Sequence, residues 1–147
     1  MTVEQAYREI RAYFSKPDAK FGFDTEAGVC QYRAFDHDTG GYRKCAVGVL
    51  IPDKLYDDSF EDGDTGPREL VDHGIINGLM TPDEAEALTQ FLVEAQVQHD
   101  SHAIGKEYVP PKPDALDRTG TYIVKERTIP AFLRSLGALA RKHGVTV

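Results

Sequence analysis

A chain of 147 residues, 41% of them apolar, has the length of one domain and can bury roughly two thirds of its unfolded surface around a single core. Its 24 acidic against 17 basic residues give a net charge of −7, without the clustered Lys and Arg that drive contact with phosphate backbones, so no nucleic-acid partner is expected. The longest apolar run, Ala46 to Ile51, falls far short of the roughly 20 residues that span a bilayer. No membrane is expected, and a polar helix rather than a leader at the N-terminus makes a cytoplasmic protein the expectation.

Thr2 followed by Gln5 has capping-box spacing, and Val3, Ala6, Tyr7, Ile10, Tyr13 and Phe14 recur at helical intervals. This predicts a helix from Val3 to about Ser15, stopped ahead of Pro17. Phe21 to Asp24 reads as loop with two aromatic rings laid on the core. Val29 to Phe35 is rich in strand formers, Asp36 to Gly41 carries turn chemistry, and Tyr42 to Ile51 resumes an apolar segment; a β-hairpin follows from the three together. With Phe35 opposite Tyr42, Cys30 and Cys45 would lie a diagonal step apart on adjacent strands. A rival reading starts a short helix near Cys45, ending before Pro52, which would put the thiol at a positive helix end and lower its pKa. Gly48 and the valines favour the strand.

From Tyr56 to Gly66 the chain is acidic. Asp58, Asp62, Asp64 and Glu69 take up calcium-loop positions around Gly63, but Phe60 has no side-chain oxygen and Pro67 interrupts the loop, so a solvated acidic loop is the expectation. A short helix is predicted over Pro67 to His73 with Gly74 as its cap, then an apolar connector from Ile75 to Met80. Thr81, Pro82 and Glu84 then open the clearest helix, running to about Ala103 with Ala85, Leu88, Leu92, Ala95, His99 and His102 on one face. Gly105 to Gly120 reads as a long surface connection and Thr121 to Lys125 as a possible extra strand. A last helix runs from near Pro130 to Gly144, burying Phe132, Leu133, Leu136, Leu139 and Ala140. The fold class is α+β: one small domain over residues 1–147, a hairpin or small antiparallel sheet against about four helices.

The segments Cys30-x-Tyr32-Arg33 and Cys45-Ala46-Val47-Gly48-x-Leu50-Ile51-Pro52-Asp53-x-x-Tyr56, with His99-Asp100 later, resemble a family of small uncharacterised proteins of actinobacteria and their phages. That pattern has glycine where Ala34 stands, and an adjacent Glu-Gly pair where Glu61-Asp62-Gly63 is split by one residue. The resemblance implies a phage-related setting and a set of positions, with no activity attached.

Three functions fit the residues. In the first, Cys45 is the nucleophile of a thiol hydrolase or transferase, His99 its base, and Asp53 or an acidic-loop carboxylate holds the imidazole, because successive helical residues such as His99 and Asp100 point about 100° apart. In this reading Tyr32, Arg33 and Tyr56 bind substrate, with Arg33 on an anionic group near Cys45. In the second, Cys30, Cys45, His99 and His102 hold a structural zinc ion, although the cysteines are 15 residues apart and need the hairpin to meet. In the third, which the absence of any phosphate loop, nucleophile elbow or metal motif favours, the protein binds a protein partner through surface aromatics and arginines and has neither cofactor nor chemistry. His37, His73 and His143 are expected on the surface or at helix ends, and Arg33 and Asp53 in a salt bridge or turn-fixing bonds around the Ile51–Asp53 corner.

Overall fold

The computed structural model describes residues 1–76, 78 and 80–147. Helix α1 (Val3–Phe14) forms as its cap predicts: Thr2 Oγ1 accepts the Gln5 N–H at 3.1 Å and the Gln5 side chain accepts the Thr2 N–H at 2.7 Å. It buries Ala6, Tyr7, Ile10 and Phe14. Two short antiparallel ribbons follow. In the first, β1 (Phe23–Asp24) pairs with β2 (Val29–Cys30); in the second, β3 (Arg33–Phe35) pairs with β4 (Tyr42–Lys44), Phe35 opposite Tyr42. Helix α2 spans Pro67–Asp72 and ends at Gly74 with φ 71°. Asn77 and Leu79 of the predicted apolar connector lie outside the described residues.

Helix α3 (Pro82–Ile104) is capped by Thr81, whose Oγ1 accepts the Glu84 N–H at 3.2 Å, and ends at Gly105 with φ 94°. Its buried positions run wider than one stripe, because Phe91, Thr89, Ser101 and Ala103 are buried beside Leu88, Leu92, Ala95, His99 and His102. The cause is its central place: α1, α2 and the last helix, α4 (Ile129–Lys142), all pack against it. Between α3 and α4 a third ribbon joins β5 (Lys106–Val109) to β6 (Thr121–Val124). One apolar core draws on all four helices and on Cys45–Val47, Leu50, Ile51 and Ile76. Among the described residues no helix is long and apolar enough to cross a membrane.

The α+β class and the four helices match the sequence reading, while three features differ from it. The predicted strand from Tyr42 to Ile51 stops at Lys44; the chain turns at Cys45 and makes a single 3₁₀ turn over Gly48–Leu50. The rival short-helix reading was therefore the better one for this segment. Phe23–Asp24, read as loop, is a strand, and Cys30 pairs with Phe23 rather than extending the hairpin toward Cys45. Lys106–Val109, inside the predicted surface connection, is also a strand, partnered by the extra strand predicted at Thr121.

Candidate functional site

The motif residues converge where the β2–β3 segment, the Cys45 turn and the C-terminal half of α3 meet. Two glycines make the approach possible. A Cβ at Gly22 would overlap the backbone of Lys44 and Cys45, and one at Gly48 would overlap the Tyr32 carbonyl. A pocket of about 190 Å³ opens there, and Cys30, Cys45, Glu61, Gln96 and Asp100 are among the residues that line it.

Asp100 is the polar hub. Its Oδ1 accepts Gln96 Nε2–H at 2.7 Å and faces His99 Nδ1 at 2.9 Å, and the Cys30 thiol lies within 4.8 Å of the same carboxylate. Gln96 in turn accepts the Val47 N–H at 3.1 Å. The fully buried His99 accepts the Gly22 N–H on Nε2 at 3.1 Å. That bond requires a lone pair on Nε2, so the ring proton sits on Nδ1 and points at Asp100. One helix thereby fastens the loop before β1, the strand carrying Cys30 and the turn carrying Cys45. The sequence reading set Asp100 aside on helical geometry; the structure pairs it with His99, because Nδ1 is the ring nitrogen nearest the backbone and a neighbouring carboxylate can turn along the helix surface to reach it.

The thiols are free and placed differently. Cys45 is buried; burial pushes its pKa well up, and the Gly48 N–H on Sγ at 3.3 Å opposes that only in part. The single 3₁₀ turn after Cys45 is too short to supply the positive helix end of the rival reading, and its one N–H on the sulfur is outweighed by desolvation. Cys30 is half-buried, and burial followed by the Asp100 charge and hydrogen bond pushes its thiol well up too. A thiolate on either is disfavoured.

Of the predicted catalytic set, Cys45 and His99 come to the same region, but the His99 lone pair that would accept a thiol proton is occupied by Gly22. Asp53 is at the surface, ion-paired with Arg33 and with Lys44 Nζ at 3.6 Å, and these cations hold its carboxyl below the usual range. The predicted zinc set is not gathered. Among the described residues the ligating atoms within 4.8 Å of one another belong to Cys30, His99 and Asp100, whereas His102 Nδ1 faces the Glu126 carbonyl at 2.7 Å and its Nε2 faces Ser135 Oγ at 2.9 Å. The Gly22 N–H also opposes zinc at His99 Nδ1, because metallation there would move the ring proton onto Nε2, against another donor.

The predicted binding residues are turned inward. Glu61 Oε1 accepts the Tyr32 N–H at 2.9 Å, while Oε2 accepts the Arg33 N–H at 3.0 Å and the Tyr56 hydroxyl at 2.7 Å. Tyr32 donates its hydroxyl to the Thr65 carbonyl at 2.6 Å. Arg33 stacks 4.4 Å over the Tyr56 ring and reaches Asp53 and the Ile51 carbonyl, the corner-fixing role expected for it. Burial, then the Glu61 charge among other causes, pushes the hydroxyls of Tyr32 and Tyr56 up. His143 sits at the C-terminus of α4 as expected, with Nε2 2.7 Å from Glu94. Glu61, Gln96 and Gly22 carry most of this network and were missed as site residues. The one legible signal was Gln96, a turn before Asp100 on the same helix face.

No family model, curated protein or solved structure matches the chain.

Proposed function

We propose that this protein binds a protein partner and performs no chemistry of its own, and that it does so by taking an extended segment of the partner onto the outer edge of β6. The observation that carries the reading is the state of that strand. All four residues of β6 are exposed, and among the described residues β6 pairs on one side only, with β5. The Lys125 N–H reaches back to the Gly105 carbonyl at 2.9 Å. By antiparallel alternation the N–H and C=O groups of Tyr122 and Val124 therefore point outward, unpaired by β5. Strand addition supplies main-chain affinity, and the alternating side chains supply selectivity.

Two further facts support it. Tyr108 and Tyr122 pack at a steep tilt, ring centroids 5.5 Å apart, on one exposed face of the ribbon, and tyrosines of this kind are frequent interface anchors. The candidate base His99 is engaged inside the fold by Gly22 and Asp100, and the Cys45 thiol is buried. The resemblance to small actinobacterial and phage proteins supplies a setting in which a small acidic protein acts by occupying a host protein.

The test uses Val124→Pro, which deletes an outward N–H and leaves the pairing with β5 intact. A partner captured by the native chain and by a Cys30→Ser, Cys45→Ser double variant, and lost from Val124→Pro, is the expected result. Equal capture by Val124→Pro overturns the edge. Rapid alkylation of either thiol below neutral pH in the native protein overturns the claim that there is no chemistry.

A further inference from the structure

A second pocket, which shares no lining residue with the one at Asp100, lies between the segment leading into β1, strand β4 and the start of α4. Its volume is about 270 Å³, just under the roughly 300–1,000 Å³ of small-molecule sites. Phe21, Phe23 and Ile129 give it apolar walls. Every charged residue in its lining is a cation: Lys20, Arg43 and Arg127. That is a local inversion in a chain with 24 acidic and 17 basic residues.

The three cations are not equivalent. Lys20 is held by Asp36 at 3.2 Å and Asp38 at 3.1 Å, so its charge is met from within the fold. Arg127 spends Nε on the Ala103 carbonyl at 3.1 Å, which fixes the plane of the guanidinium and leaves its terminal nitrogens without a carboxylate among the described residues. Arg43 is half-buried on β4 and makes no side-chain hydrogen bond or ion pair among the described residues; its Nε is buried without a partner. A buried N–H left unpaired is costly, and on Arg43, unlike on Arg33, the rest of the guanidinium has no carboxylate or carbonyl partner among the described residues either.

We propose that this pocket binds a carboxylate carried on a flat apolar body, with Arg43 and Arg127 forking the carboxylate and the phenylalanine walls enclosing the body. The planar fork of arginine matches a carboxylate in two-point contact. The acid could be a free small molecule or the C-terminal carboxylate of a peptide that ends in an aromatic residue. The site is separate from the β6 edge, and its failure leaves the reading of that edge untouched.

The test is calorimetric titration of the full chain with 3-phenylpropionate, and with its neutral amide as the uncharged control. Acetyl-Gly-Phe as free acid and as amide forms the peptide arm. The expected result is binding of the acids but not of the amides, weakened about tenfold or more by Arg43→Met. The unliganded Arg43→Met protein should melt no lower than the native one, because the change removes an unpaired buried nitrogen while keeping an unbranched apolar side chain. The tighter of the two acids identifies the source. Equal binding of acid and amide, no binding of either acid at millimolar concentration, or a marked loss of melting temperature in unliganded Arg43→Met overturns the proposal, the last because it makes Arg43 a structural residue.

Discussion

Gly48 is where a single hydrogen atom decides the geometry of the Cys45 turn. Its α-carbon stands against the Tyr32 carbonyl, which is backbone and cannot rotate away. Gly41, by contrast, would bring a Cβ only to 3.6 Å from the Thr39 hydroxyl, an ordinary contact. Gly48→Ala is therefore expected to lose about 3 kcal/mol, at the upper end of overpacking effects, with Gly41→Ala within about 0.5 kcal/mol of native; urea denaturation of the two variants checks both. The same atomic closeness explains why the role of Gly48 was illegible in the sequence. A glycine between valines reads as a weak strand residue, and nothing in one chain's order of residues tells that Tyr32 will press against it.

At the scale of elements, the acidic segment is an example of a composition that misleads. Its charges suggest a solvated loop, and Asp57, Asp58 and Asp62 are indeed exposed. Glu61, in the 3₁₀ segment Asp58–Asp62, faces inward and gathers two backbone N–H groups and a tyrosine hydroxyl. Glu61→Gln would turn an amide donor toward those donors, and a loss of about 2 kcal/mol is expected, against less than about 0.5 kcal/mol for exposed Asp58→Asn, again by urea denaturation. The helices were legible because their signals are local: Thr2, Thr81 and the apolar spacing after each are read within a few residues. The β3–β4 hairpin was legible too, from the turn residues between Phe35 and Tyr42, whereas the β1–β2 ribbon was not, since its strands have two residues each, too few to show alternation. The site lay between these cases. Cys30, Cys45 and His99 stood out as residues, but their surroundings depend on Gly22, Glu61, Gln96 and the end of β4, which only the assembled fold brings together.

For the whole molecule, ionisation sets two edges to stability. Asp53, held low by Lys44 and Arg33, and Glu86, held low by Arg68, favour the fold in their charged forms. A carboxylate whose folded pKa is depressed contributes above its unfolded value of about 4 and loses that contribution as pH falls through the folded one. The thiols of Cys30 and Cys45 and the hydroxyls of Tyr32 and Tyr56 are raised, burial being the first cause in each. Their contribution is complete below the unfolded values of about 8.5 and 10 and is lost as pH rises beyond them. The melting temperature should thus be level between about pH 5 and 8 and fall on both sides. A Cys30→Ala, Cys45→Ala variant should fall less steeply than the native chain between about pH 8.5 and 10; an unchanged slope in a melting series would refute the account. The arrangement of strands carries one more consequence. Among the described residues the six strands form three separate ribbons that share no ladder, so no sheet there transmits order across the molecule, and cooperativity is expected to reside in the helices around α3. The β5–β6 ribbon is then expected to open as a foldon of its own: its amide protons should exchange through local opening while those of α3 wait for global unfolding, so that the strand proposed to take a partner would be one the protein can loosen without unfolding the rest.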